Sequence, residues 1–376
     1  MIRCGYLVFL FSFLTTISYC QPFPCDGDLL LSFNQDVPNN STYKVDFGPF
    51  GTLLYSPFRS YFGGQFEALG FNPTDNYIYG ISQNSNDIVR LNANQTYDVI
   101  GQLPLIHGTN ISAGDCAPTG EYLCISNETN QLLAFNVVNT VELISEIELF
   151  WNPEAINSGP FVAKFGDFAI DPINPNIAFG YVGNYGDPDL GPLASRGFLY
   201  SINVDLNDPN VGMVTAVGKL PSTEVRKIGS LFFTSEGALY GYGSISTDNQ
   251  LIQNTLVQID KNSGSSFVFP WRGPISLSTD GCSCPYNFTF ECAADPLIAN
   301  CTESQVNYYM SINNRFFQDL SDIHFIDSLP DGMIIANITG NFVGDIVPGT
   351  GVGTSILEIE NLQVPGRQIT LSLIHI

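Results

Sequence analysis

The stretch FEALGFNPTDNYIYGI, residues 66–81, constrains this chain more than any other, because its outline returns three more times. A short apolar strand with an early Gly enters a turn of Pro, Asp, Asn, Ser or Gly and leaves through a second strand. The other copies are SAGDCAPTGEYLCI (112–125), FGDFAIDPINPNIAFGY (165–181) and IGSLFFTSEGALYGY (228–242). An all-strand unit that recurs every ~40–60 residues buries its apolar faces only by stacking on its neighbours, which is the signature of a propeller-like array.

Two alternating, β-branched segments follow each hairpin, such as DIVRLN and YDVIGQL after the first, and complete a four-stranded blade. Residues 28–57 offer three strands (DLLLSF, TYKVDF, GTLLYS) and residues 275–279 (ISLST) offer one. Joined, they predict a fifth, composite blade whose innermost strand comes from the C-terminal side, closing the ring without exposed sheet edges. From about Gln305 the strands alternate without the blade outline, as an immunoglobulin-like sandwich cut short would. The fold class expected is all-β: a five-bladed β-propeller over residues 21–301, closed by the composite blade, then a partial immunoglobulin-like β-sandwich over 302–370. Residues 371–376, LSLIHI, match the translation of a common sequencing-library adapter and are read as an artefact.

Residues 1–20 have the anatomy of a secretory signal peptide: Arg3, an apolar run from Tyr6 to Leu14, and Ser18-Tyr19-Cys20 as the cleavage site. That run is too short to span a bilayer and no later segment matches it, so a secreted or cell-surface chain without a membrane span is expected. With 36 acidic against 13 basic residues, the formal charge of -23 lacks the Lys/Arg footprint that nucleic acid requires. Cations, basic proteins and neutral glycans stay compatible with it.

In an oxidising compartment the seven cysteines beyond Cys20 should mostly pair. Cys25 precedes the second strand of the composite blade and Cys284 follows its first, so a Cys25–Cys284 disulfide would replace the missing turn. The chain-entropy model values such a closure at up to roughly 5 kcal/mol. Cys116 and Cys124 flank Gly120 as a cross-strand pair, and Cys292 with Cys301 is a third, which leaves Cys282 over. Asn39, Asn40, Asn94, Asn110, Asn127, Asn287, Asn300 and Asn337 stand in Asn-x-Ser/Thr sequons and are the candidate glycosylation sites.

Cys25-Asp26-Gly27, ALGFNPTDNYIYGI, the Gly114-Asp115 and Gly166-Asp167 pairs, SEGALYGY and Thr279-Asp280-Gly281 followed by Cys284 resemble an uncharacterised family of secreted propeller-like domains. Domains of that family often stand before repeat modules in bacterial and other surface proteins. The segment FIDSLPDGMIIANITGNFVG is similar to those modules, in which a Thr- or Ser-flanked Leu-Pro-x-Gly follows a strand. The resemblance implies fold and surface display, and it brings no catalytic residues with it.

The chain has three histidines, 107, 324 and 375, and contains no His-Glu-x-x-His, no Gly-x-Ser-x-Gly and no P-loop. Asp115 and Asp167 follow Gly on innermost strands, the strands that line a propeller's channel. With Glu67 they offer an oxygen shell for a divalent cation such as Ca2+, or else each accepts hydrogen bonds from the neighbouring blade's backbone. Two functions follow. A non-enzymatic recognition or structural module, with no cofactor, is the expectation; a cation-dependent, lactonase-like hydrolase using tunnel carboxylates is the alternative. The long connections 150–163, 183–196 and 244–253 fall on one propeller face. They offer Trp151 and Tyr185 for stacking and Asp187 and Asp189 as carboxylates, a mixture suited to an extracellular glycan or a basic protein patch. The plainer reading of Trp151 is that it packs its loop onto the third blade.

Overall fold

The computed structural model describes residues 22–23, 29–33, 39–47, 52–83, 85–104, 111–138, 140–152, 164–183, 197–220, 225–245, 253–286, 288–294, 307–314, 319–329, 332–366 and 368–375. Every regular element among them is a strand. In chain order these are β1 (Leu29–Phe33), β2 (Asn39–Phe47), β3 (Leu53–Phe62), β4 (Phe66–Asn72), β5 (Tyr77–Ser82), β6 (Asp87–Leu91) and β7 (Tyr97–Gln102). Next come β8 (Ile111–Cys116), β9 (Glu121–Ser126), β10 (Gln131–Asn136), β11 (Glu142–Glu148), β12 (Phe150–Trp151), β13 (Phe168–Ile170), β14 (Ile177–Tyr181), β15 (Phe198–Asn203) and β16 (Met213–Lys219). Then follow β17 (Val225–Phe233), β18 (Leu239–Ile245), β19 (Gln253–Ile259), β20 (Ser266–Ser276) and β21 (Thr279–Ser283). The last group is β22 (Phe288–Ala294), β23 (Asn307–Asn314), β24 (Leu320–Ser328), β25 (Asn337–Gly340), β26 (Val343–Ile346), β27 (Ile356–Val364) and β28 (Gln368–His375).

Each copy of the repeated hairpin opens an antiparallel sheet in simple order: β4 to β7, β8 to β11, β13 to β16 and β17 to β20. The founding turn shows why Asn, Asp and Pro recur there. Asn72 Oδ1 accepts from the Thr74 amide at 2.9 Å, Asp75 Oδ1 accepts from the Tyr77 amide at 3.1 Å, and Asn76 takes the left-handed φ of 60°. Burial falls off outward. β9 and β10 are almost continuously buried, which is why they read as apolar runs, while the outer β11 alternates exposed and half-buried positions.

The composite sheet forms in the order β21-β1-β2-β3, with Leu29 opposite Ser283 and Phe33 opposite Thr279. Its C-terminal strand is Thr279–Ser283, and this corrects the expected 275–279. Residues up to Ser276 prolong β20, Ile275 and Leu277 are 58% and 50% exposed, and it is Asp280 and Cys282 that are buried. Alternation in ISLST reports an outer strand, whereas the inner position went to a polar sequence whose Thr279 and Asp280 side chains are hydrogen-bonded. The inner strands touch in succession: β21 with β4, β4 with β8, β8 with β13, β13 with β17, and β17 with β21. One strand is additional. After β11 the chain crosses to the third sheet, where β12 lies parallel against β16 and covers its outer edge.

The remaining strands make two sheets, β22-β23-β28-β25 and β24-β27-β26. They share a core of Met310, Ile312, Ile335, Leu357, Ile359, Leu362 and Val364. Residues 371–375 lie in β28, paired with β23 and β25, so the backbone there takes strand register whatever the origin of the sequence.

Candidate functional site

Asp115 sits on the inner strand β8 and Asp167 immediately precedes the inner strand β13, and the structure adds a third carboxylate, Asp280 on β21. All three do one job. One oxygen accepts the amide of the next residue, and the other accepts an amide of an adjoining sheet. Asp115 takes Cys116 N at 2.8 Å and Ile170 N at 2.8 Å. Asp167 takes Phe168 N at 2.7 Å and Leu231 N at 2.6 Å, and Asp280 takes Gly281 N at 2.7 Å and Leu69 N at 3.0 Å. Each acid thus staples its own sheet to a neighbour by satisfying a buried amide on that neighbour's inner strand.

Burial governs the electrostatics of these groups. It pushes the Asp115 carboxyl up to about 7, against the pull of its two amide donors. Asp167 is raised well above the carboxylate range by burial and then by the charge of Asp280. Asp280 is raised likewise by burial, the amides of Leu69 and Gly281 opposing it.

Two junctions lack a carboxylate. Between β4 and β8 the backbones meet directly: a Cβ on Gly70 would lie 2.6 Å from the Asp115 backbone, and one on Gly114 would lie 2.5 Å from the Ala68 carbonyl oxygen. Tyr122 Oη donates to Ala68 O at 2.6 Å and Asn72 Nδ2 to Gly120 O at 3.0 Å. Between β17 and β21, Thr279 Oγ1 donates to Gln253 Oε1 at 2.6 Å, and Gln253 Nε2 donates to Leu277 O at 3.1 Å. Ser230 on β17 is fully buried with no partner for its hydroxyl among the described residues.

Glu67 lies near the start of β4, where Gln83 donates to its Oε1. Burial raises its carboxyl, and burial lowers Lys227 near the start of β17, each group's charge opposing the other's shift. Glu67, Asp115 and Asp167 do not bring their ligand atoms together. Among the described residues, the group of three whose ligand atoms all lie within 4.8 Å of one another is His324, Glu358 and Glu360. Glu67, Asp115 and Asp167, one reading of which is an oxygen shell, do not form such a group.

Of the proposed binding residues, Trp151 is half-buried on β12, its ring 5.4 Å from that of Tyr200 and packed on the third sheet's core. Its position is that of a packing residue. Tyr185, Asp187 and Asp189 lie outside the described residues. Asn127 is 5% exposed, donates to Phe165 O at 3.0 Å and accepts from Phe165 N at 3.1 Å. This sequon is thus a strut between the second and third sheets, and its amide is consumed in folding. Asn94 is partly exposed in the turn before β7, and Asn337 is exposed at the start of β25. Asn39 and Asn40 open β2, and Asn110, Asn287 and Asn300 lie outside the described residues.

The cysteines depart from expectation at one pair. Cys116 and Cys124 are free, buried thiols, because the register places Cys124 opposite Gly114 and Cys116 opposite Tyr122, on a diagonal. Burial raises both thiols. Cys282 is free and buried too, and Cys284 is disulfide-bonded. Cys25 and Cys301 lie outside the described residues, and of Cys292 only the backbone, in β22, is described. Asp280 carries the same sequence signal as Asp115 and Asp167, an acid beside Gly, but a strand expected at 275–279 places it beyond the inner strand, whereas β21 includes it.

The model of a repeat of unknown function, DUF6923, matches residues 33–286. No curated protein matches the chain by sequence. Among solved structures, hydrazine synthase of Kuenenia stuttgartiensis is similar at 10% identity and a TM-score of 0.34, covering 69% of this chain and 62% of that one. The PQQ domain of pyranose dehydrogenase from Coprinopsis cinerea is similar at 13% identity and a TM-score of 0.36, covering 54% of this chain and 51% of that one. Virginiamycin B lyase from Staphylococcus aureus is similar at 11% identity and a TM-score of 0.36, over 89% of this chain and 95% of that one. The chain spans less than two thirds of the first two of these proteins, and likenesses of this strength carry no activity with them.

Proposed function

The chain belongs to the DUF6923 family of repeats of unknown function, and from that premise we propose that it is a secreted or cell-surface recognition module without catalytic activity. Its five inner-strand sheets are the blades of a closed five-bladed propeller, and the two sheets beyond them are an immunoglobulin-like repeat. The succession of inner-strand contacts supports the ring, and the shared core of the last two sheets supports the sandwich. One observation carries the functional reading. The three axial carboxylates spend both oxygens on backbone amides of their own and adjoining sheets, so the interior works as a fastening rather than as a cation-dependent hydrolase centre.

Recognition then falls to the face where β12 ends and β13 begins, where β14 hands over to β15, and where β18 hands over to β19. In antiparallel blades these three long connections leave on one side, and loops kept on a rigid scaffold are where binding concentrates. Tyr185, Asp187 and Asp189 are the residues proposed to meet an extracellular glycan or a basic protein patch. Screening the purified chain against immobilised glycans and basic extracellular proteins tests this, with Tyr185→Ala expected to lose binding at unchanged melting temperature. Ester or lactone hydrolysis that depends on added Ca2+ and is lost in Glu67→Gln would replace this reading with the hydrolase one.

A further inference from the structure

The two-sheet module holds a side-chain group that plays no part in the propeller. Glu358 and Glu360 project from β27, and His324 stands on the adjoining β24. Between Ile323 and Phe325 the register moves from Leu362 to Ile359, so two steps on β24 are matched by three on β27. The extra residue is a bulge, with Asn361 at φ 54°. Strand alternation puts Glu358 and Glu360 on one face, opposite the buried Leu357 and Ile359, and the shifted register sets His324 beside them. His324 Nε2 lies 2.7 Å from Glu358 Oε1, and the ligand atoms of all three residues fall within 4.8 Å of one another.

A further acid sharpens the need for a cation. Asp345 on β26 stands directly opposite Glu360, its Oδ2 accepting from Asn361 Nδ2 at 3.0 Å. Carboxylates facing each other across a strand pair repel. Among the described residues no Lys or Arg forms an ion pair with Glu358, Glu360 or Asp345; the side chain that meets Glu358 is the His324 imidazole.

We propose that His324, Glu358 and Glu360 bind one divalent transition-metal ion, with zinc the best match. An imidazole nitrogen with two carboxylate oxygens is a borderline donor set that suits Zn2+, whereas Ca2+ takes an all-oxygen shell of six or more ligands. Three protein ligands leave a coordination position for water or for a donor group of a binding partner. His324 is exposed, so the ion exchanges with solvent without any opening of the core.

Calorimetry and native mass spectrometry on the full chain with zinc sulfate test the site. One Zn2+ is expected, with affinity reduced on the order of tenfold or more in His324→Ala and in Glu360→Gln. Circular dichroism follows the fold of each variant, and Glu360→Gln stands in if His324→Ala fails to fold. The proposal is overturned if the wild type takes up no zinc, if both variants keep wild-type affinity, or if equimolar Ca2+ displaces the ion.

Discussion

Three junctions between neighbouring inner strands are stapled by a carboxylate, and two are not. Asp280 ties β21 to β4, Asp115 ties β8 to β13, and Asp167 ties β13 to β17. The β4–β8 junction instead relies on direct backbone approach and on the Tyr122 hydroxyl, and the β17–β21 junction on Gln253 and Thr279. The difference teaches that the repeat fixes where a fastening is needed but not its chemistry. An acid serves where an amide of the adjoining strand lies within reach, and a glycine where the two backbones must nearly touch.

Removing a staple should have the largest effect. Asp167→Ala orphans the buried amides of Phe168 and Leu231 and is expected to cost about 2–4 kcal/mol, read from urea unfolding of the purified chain. A loss below ~1 kcal/mol would mean that water replaces the carboxylate and that stapled and unstapled junctions do not differ in kind.

The next effect is one of pH. A carboxyl whose folded pKa is raised binds more protons folded than unfolded, so its contribution to stability is fullest below about 4, the unfolded value, and is lost as pH rises through the folded value. For Asp115 that loss runs up to about 7, and Asp167 and Asp280 extend it in the same direction. The melting temperature should be higher at pH 5 than at pH 8, and Asp115→Asn should flatten the profile. A rise in stability over that interval would show that the amide donors, rather than burial, set the charge state of the staples.

The smallest effect belongs to the unstapled side. Ser230 has no partner for its buried hydroxyl among the described residues, so Ser230→Ala should leave stability within ~0.5 kcal/mol of wild type or raise it slightly. A loss above ~1 kcal/mol in urea unfolding would mean that a bound water makes Ser230 a fastening of its own, erasing the contrast between β17–β21 and its neighbours.

By itself the sequence determined the all-strand class, the four hairpin copies and the joining of residues from both ends in one sheet. These rest on local physics: period-two alternation, turn chemistry such as Asn72-Pro73-Thr74-Asp75, and apolar runs that only inner strands can bury. It also marked Gly114-Asp115 and Gly166-Asp167, though not whether they held a cation or the fold. Tertiary structure alone decided that, because a carboxylate's role depends on which amide lies 2.6–3.0 Å away, and those amides belong to residues 55 to 211 positions distant in the chain. The same holds for β21, whose polar sequence became an inner strand because neighbouring sheets satisfied it. It holds for Trp151, drawn into an edge strand, and for Asn127, buried as a strut. The His324–Glu358–Glu360 group was likewise invisible, since a one-residue bulge set the register that brings an imidazole and two carboxylates together.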